Sequence, residues 1–280
     1  MAGVVRDPHG EPTAVKRGGV RAAIVTGASS GIGRALALRL ATDGYRVGLI
    51  ARRGELLESC CRDIAAGGGT AVAAVADVGD RTALRRAVAE IEGRLGPADV
   101  MVANAGFGAP TRLDPLNIEE VERTFRINLM GVIYSVEAVL PGMLARRSGQ
   151  LLAVSSLAGD KGLPGESAYC ASKAAVNVYM EGLRIALRAK GVVVTTVCPG
   201  FVQTPMAPMD AAATPFVISA KAAADRIARL IVRRRGGVHR FPRRMAILMA
   251  MVARLPDALV ARLVHEGNHQ TAEAPAEPPP

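Results

Sequence analysis

Residues 20–42 read VRAAIVTGASSGIGRALALRLAT, and the parsing of this stretch decides the fold. Val20 to Thr26 is a mostly apolar, β-rich run, the pattern of a strand buried in a parallel sheet. It feeds directly into Thr26-Gly27-Ala28-Ser29-Ser30-Gly31-Ile32-Gly33, after which a helical stretch, Arg34 to Thr42, begins. Glycines permit a tight strand-to-helix turn and let a pyrophosphate approach the backbone. The helix start adds free N–H groups and a positive dipole end for phosphates.

Working outward, short apolar runs alternate with longer helical patterns along the whole chain, as expected for βαβ units with right-handed crossovers. Strands are expected near 21–26, 46–51, 70–76, 99–103, 149–155, 192–198 and 238–241. Helices are expected near 32–43, 55–66, 81–94, 117–146, 167–190 and 219–234. With 280 residues, half of them apolar, one α/β domain can bury a substantial core. The expected fold is a single Rossmann-like, doubly wound parallel sheet of about seven strands with helices on both faces and a helical C-terminal extension.

A second chemical signal lies downstream. Tyr169 and Lys173 are four residues apart in Tyr-Cys-Ala-Ser-Lys, and Ser156 stands thirteen positions before the tyrosine. On a helix, positions i and i+4 share a face, so Lys173 can bring a cation to the Tyr169 hydroxyl. A nearby cation is expected to favour the phenolate and to pull the tyrosine pKa down from about 10, giving a general acid/base usable near neutrality.

Together these motifs resemble the short-chain dehydrogenase/reductase family, in the branch with a TGxxxGxG turn and a YxxxK site. The resemblance runs from about Val20 to His239. It includes Asp77-Val78 after a third strand, Asn104-Ala105-Gly106 after a fourth, Asn128 in the next helix, Ser155-Ser156 closing a fifth strand, and Pro199-Gly200-Phe201-Val202-Gln203-Thr204 ending a sixth. One departure is Ala103, which stands where the family often has a first asparagine.

The resemblance implies hydride transfer between a nicotinamide and a carbonyl or alcohol. Tyr169 would exchange the proton. Lys173 would tune the tyrosine and hold the nicotinamide ribose. Ser156, rather than its neighbour Ser155, would bond the substrate oxygen, and Asn128 would hold a water linking Lys173 to solvent. It places the cofactor on Gly27, Ser29, Ser30, Gly31, Ile32 and Gly33, with Asp77 and Val78 at the adenine. Further cofactor contacts would come from Asn104, Ala105 and Gly106, from Tyr169 and Lys173, and from Pro199, Gly200, Val202 and Thr204.

Cofactor choice is read from the end of the second strand. Val47 to Ala51 is followed by Arg52-Arg53, so Ala51 occupies the place where NAD-preferring folds of this kind put an acid. A guanidinium suits a 2′-phosphate, which favours NADP(H) over NAD(H). Arg52 is the better candidate, with Arg53 read either as a second contact or as a solvated charge at a helix start. The expected activity is NADPH-dependent carbonyl reduction. The alternatives are an NAD-linked alcohol dehydrogenase working oxidatively and a non-catalytic NADP-binding regulator.

The resemblance also places the substrate between the Phe107–Leu113 loop, the Leu157–Glu166 loop and the segment after Pro199. Phe107, Leu163, Phe201, Met206, Met209 and Phe216, with Ser156 and Tyr169, make an apolar lining that suits a hydrophobic ketone or secondary alcohol. No metal site is expected. Cys60, Cys61, Cys170 and Cys198 lack C-x-x-C spacing and read as reduced thiols of a cytoplasmic protein.

The net charge of +10 is local: between residues 221 and 265 stand eleven basic residues and only two acidic ones. Aromatics total 3%, and no base-reading motif appears, so nucleic-acid binding is not expected. Residues 1–19 are expected to be flexible, 20–241 to form the catalytic domain, 242–269 the basic and apolar helical extension, and 270–280 a disordered tail rich in Ala, Glu and Pro. Residues 245–253 are apolar on nearly every helical face, too short to span a bilayer, and expected to be buried. A second short helix after Pro256 would carry Leu259, Val260, Leu263 and Val264 as a stripe. The chain's own cleft, a partner subunit in a homodimer or homotetramer, and peripheral contact with a membrane all remain open as what this extension covers.

Overall fold

The computed structural model describes residues 20–206, 214 and 216–268, the last six as backbone only. The expectations for 1–19, for 270–280, for Met209 and for the side chains of Leu263 and Val264 lie outside the described residues. In chain order the strands are β1 (Ala22–Thr26), β2 (Arg46–Ala51), β3 (Thr70–Val75), β4 (Val100–Ala103), β5 (Gly149–Val154), β6 (Val192–Pro199), β7 (Val202–Gln203), β8 (Ile218–Ser219) and β9 (Gly237–Phe241). The helices are α1 (Gly31–Thr42), α2 (Gly54–Ala66), α3 (Arg81–Leu95), α4 (Ile118–Phe125), α5 (Gly131–Arg146), α6 (Ser167–Leu187), α7 (Ala220–Val232), α8 (Arg243–Val252) and α9 (Asp257–Asn268).

Seven strands form one parallel sheet in the order β3-β2-β1-β4-β5-β6-β9, while β7 and β8 make a separate two-residue pair. The order reverses between β1 and β4, so a crevice opens at their carboxyl ends. Every residue of β1 and of β5 is buried, because helices cover both faces of the sheet. One face packs α1, α2 and α7 through Leu36, Leu40, Leu57, Ile64, Ile227 and Ile231. The other packs α3, α5 and α6 through Leu84, Ile91, Val136, Met143, Val176 and Met180.

The expected doubly wound sheet is therefore present, with element ends that coincide with the expected ones or differ by at most three residues. Two differences are larger. The helix expected over 117–146 contains a π-helical turn at Arg126–Met130 between α4 and α5, and Asn128 sits inside it. The extension is not buried all round. Met245 and Met249 are 8% exposed and pack against Leu157 and Cys198, whereas Ile247, Leu248 and Met251 on the outer side are 61%, 40% and 56% exposed. Residues i and i+4 share one helix face, and in α8 that face turns to the domain, while Val260 of α9 is also buried.

The extension is pinned near the crevice by charge. Lys161, just past a 3₁₀ turn (Leu157–Asp160) that follows β5, bonds Asp257 at 2.9 Å and the Leu255 carbonyl at 3.4 Å. Within that turn Asp160 makes a bidentate pair with Arg240 of β9, both contacts at 2.9 Å.

Candidate active site

The turn after β1 is built around absent side chains. Gly27 and Gly31 have φ of +67° and +55°, the left-handed region that glycine reaches without strain. A Cβ on Gly33 would stand 2.3 Å from the Gly27 carbonyl oxygen, closer than any real contact. Asn104, at the end of β4, locks the turn from below: its Nδ2 donates to the Thr26 carbonyl at 2.9 Å, and its N–H donates to Thr26 Oγ1 at 3.0 Å. Ser30 makes no side-chain cap on α1, so the first-turn N–H groups face the crevice.

This turn forms one end of a cleft of about 790 Å³. Ser29, Ser30, Gly31 and Ile32 line it, with Asp77 and Val78 after β3, Ala105 and Gly106 after β4, and Pro199, Gly200, Val202 and Thr204 after β6. The glycine cradle, the open helix start and the size of the cleft fit a dinucleotide. Arg53 does more than begin a helix. Its Nη2 donates to Ser30 Oγ at 2.8 Å and to Ser29 Oγ at 3.1 Å, which holds a guanidinium over the turn. Arg52 stands 3.9 Å from Asp77, on the far side of the same end.

At the other end of the cleft, α6 presents Tyr169 and Lys173 on one face. Lys173 Nζ is buried, donates to the Val154 carbonyl at 3.1 Å and lies 5.6 Å from the Tyr169 ring centroid. Burial drives its pKa down from 10.5 to about 8. Burial also raises the Tyr169 pKa above its ordinary value, and the group that counters this rise is the Ser156 hydroxyl, through a hydrogen bond. This corrects the expectation that Lys173 pulls the tyrosine pKa down: Lys173 is buried and Tyr169 partly so, and desolvation outweighs the pairing inferred from spacing.

The two serines separate cleanly. Ser155 is buried and donates to the Lys173 carbonyl at 3.1 Å, bracing α6 against β5. Ser156 stands in the cleft and accepts from the Ala158 N–H at 3.1 Å. Asn128 lies behind the cleft, fully buried. Its Oδ1 accepts from the Phe107 N–H at 2.8 Å, and its Nδ2 donates to the Phe107 carbonyl and to Ser172 Oγ, both at 2.9 Å. Both amide protons are thus committed. Gly106 separates Asn128 from Lys173: a Cβ there would be 3.5 Å from Asn128 Oδ1 and 3.6 Å from Lys173 Nζ.

Phe107, Leu163, Phe201 and Met206 line the cleft as anticipated, and the Phe107 ring is backed by the Arg123 guanidinium at 4.3 Å. Phe216 is not among the lining residues and is 39% exposed. The two methionines of α8 were not among the residues expected in the cleft, whereas Glu166 ends the Leu157–Glu166 loop already placed at the substrate. Met245 and Met249 reach the cleft from α8, and Glu166 reaches it from the start of α6. The i, i+4 spacing of the methionines was visible, but nothing local said which face would turn inward. All four cysteines are free. Among the described residues no group of His, Cys, Asp or Glu is placed to hold a metal.

Comparison with known proteins agrees with this geometry. The sequence model of the family described as short chain dehydrogenase matches residues 21–214. An uncharacterized oxidoreductase of Myxococcus xanthus is 39% identical over 239 residues, 85% of this chain and 94% of that protein. A 3-oxoacyl-[acyl-carrier-protein] reductase of Staphylococcus aureus is 35% identical over 187 residues, 66% of this chain and 76% of that one. The crystal structure of a variant actinorhodin polyketide ketoreductase with NADPH superimposes with a TM-score of 0.74 at 30% identity, covering 79% of this chain and 95% of that one. An alcohol dehydrogenase from Thermococcus sibiricus complexed with 5-hydroxy-NADP gives 0.71 at 26% identity, covering 80% and 95%.

Proposed function

The chain belongs to the short-chain dehydrogenase family of NAD(P)-dependent oxidoreductases, and on that premise we propose that it is an NADPH-dependent carbonyl reductase for apolar ketones. The observation that carries the reading is the meeting of Ser156, Tyr169 and Lys173 in one cleft with the glycine turn. The nicotinamide, when bound, supplies the hydride for the carbonyl carbon on reduction and accepts it on oxidation. The residues of the chain handle the oxygen. Ser156 donates a hydrogen bond to it, and Tyr169 delivers the phenolic proton as charge builds there, which leaves a secondary alcohol. Lys173, a cation below its pKa of about 8, offsets the phenolate that remains.

Burial keeps Tyr169 protonated at neutral pH, the form a reduction consumes. Oxidation would start from the phenolate, which the same burial disfavours. NADPH is favoured by Arg53 over the phosphate turn, by Arg52 at the adjacent strand end, and by Ala51 in place of a carboxylate. The apolar lining by Phe107, Leu163, Phe201, Met245 and Met249 supports a hydrophobic substrate.

NADPH consumption against a panel of apolar ketones tests the reading, with Tyr169→Phe as control. Turnover should fall by about 10²-fold or more in the variant. Turnover unchanged by that substitution would overturn the mechanism.

A further inference from the structure

One charge in the substrate end of the cleft has no part in the reduction. Glu166 precedes Tyr169 by three residues, close to one helical turn, and lines the cleft beside Leu163 and Tyr169. The other charged lining residues, Arg52, Arg53, Asp77 and Lys173, stand at the cofactor turn or beneath the nicotinamide end. The cleft that Glu166 lines is also lined by Phe107, Leu163, Phe201 and the methionines.

The fold makes no use of this carboxylate. Glu166 occupies the N-cap of α6, yet its side chain caps nothing; only its backbone serves the helix, with its carbonyl accepting from the Cys170 N–H at 2.8 Å. Among the described residues no cation pairs with it and no donor bonds it. Burial alone acts on its pKa, pushing the carboxyl above the usual range with nothing to offset it. The charge also raises the pKa of Tyr169 and of the Cys170 thiol, so it lies within electrostatic reach of the proton donor. A partly buried carboxylate that neither caps nor pairs costs stability and awaits a counter-charge. A group that enters the cleft with the substrate is placed to supply one.

We propose that Glu166 is a specificity-determining residue that selects carbonyl compounds bearing an ammonium group, joined to the carbonyl by a short apolar link. The inference rests on the carbonyl-reductase reading of the same site. The carbonyl sits at Ser156 and Tyr169, the link packs against Phe107, Leu163 and Phe201, and the cationic nitrogen meets Glu166 across about one helical turn. Aromatic rings and methionine sulfurs suit the apolar skirt of an alkylated ammonium. A carboxylate or phosphate at the same position on a substrate would be repelled.

The test compares a methyl ketone ending in trimethylammonium with its carbon isostere ending in tert-butyl, each on the same three-carbon link. The wild-type enzyme should prefer the cationic ketone in kcat/KM by about 10- to 100-fold, the scale of a partly desolvated Coulombic contact that involves no hydrogen bond. Glu166→Gln should bring that ratio close to one, and Glu166→Asp should keep part of it. Because the ratio is taken within each enzyme, a general loss of activity or folding cancels. A wild-type ratio near one, or a ratio unchanged in Glu166→Gln, would overturn the assignment. If neither ketone is turned over, the carbonyl-reductase reading fails by itself. Calorimetric binding of the trimethylammonium ketone then decides the role of Glu166: tighter binding to wild type than to Glu166→Gln sustains it, and equal binding removes it.

Discussion

Asn128 grips Phe107 from both sides, accepting its N–H at 2.8 Å and donating to its carbonyl at 2.9 Å. A π-helical turn presents the asparagine, so an irregularity in one helix sets the height of the loop that forms one wall of the cleft. With both amide protons used, water can be received by this side chain only at Oδ1. Asn128→Ala would strand the two buried backbone groups of Phe107. A loss of about 2 kcal/mol or more is expected in urea unfolding. Loosening of the Phe107 wall should raise KM for an apolar ketone in the same variant.

Ser156 is the group that holds the Tyr169 pKa down against burial. Its removal should therefore raise that pKa further. In Ser156→Ala the rise of alcohol oxidation with pH should shift to higher pH, because the phenolate becomes harder to form. Reduction at neutral pH should fall by about 10²-fold through loss of the bond to the substrate oxygen. A pH profile in both directions checks the two effects separately.

Lys173 carries a stability signature besides its proposed role at the site. Its pKa falls from 10.5 unfolded to about 8 folded, so between those values the unfolded chain binds more protons. Its contribution to stability consequently rises with pH across that window, and below pH 8 the full cost of burying the cation is present. The shift corresponds to about 3 kcal/mol. Unfolding free energies of wild type and Lys173→Met, compared near pH 7 and near pH 10, should converge or cross in favour of wild type as pH rises.

Arg53 is bonded to both serines of the phosphate turn. Arg53→Ala should raise KM for NADPH about tenfold, the weight of one charge-assisted contact, and leave KM for NADH nearly constant. Ala51→Asp combined with Arg52→Ala should move preference toward NADH. Steady-state kinetics with the two cofactors measure both changes.

Gly33→Ala has no means of relief, since the added carbon would meet the Gly27 carbonyl at 2.3 Å and Asn104 Nδ2 at 2.5 Å. Backbone rather than a flexible side chain must move. The variant should lose cofactor affinity before it loses the fold, which fluorescence titration with NADPH and thermal melting would separate.

Several of these features could be read from residue order alone, for one physical reason: they are local. An apolar run such as Ala22–Thr26, closed by a glycine turn, suits an inner strand, Gly27, Gly31 and Gly33 mark a turn by their own geometry, and Tyr169 and Lys173 share a face through helical pitch. Even the lack of an acid at Ala51 is a property of one position. The sequence by itself therefore determined the doubly wound sheet, the glycine turn after its first strand and the placing of Tyr169 and Lys173 on one helix face.

What only the tertiary structure decided depends on groups far apart in the chain. Desolvation of Tyr169 and Lys173 comes from the walls around them, so the spacing suggested a depressed tyrosine pKa and the folded site raises it. The inward face of α8 was chosen by Leu157, just past β5, and Cys198 of β6, and it brought Met245 and Met249 into the cleft. Glu166 gains meaning in the same way. A charge in a sequence has neighbours in number only, whereas in the folded cleft Glu166 is the lining carboxylate near Tyr169, and Asp77 lines the cleft after β3. Burial and pairing are properties of surroundings, and surroundings exist only once the chain has closed on itself.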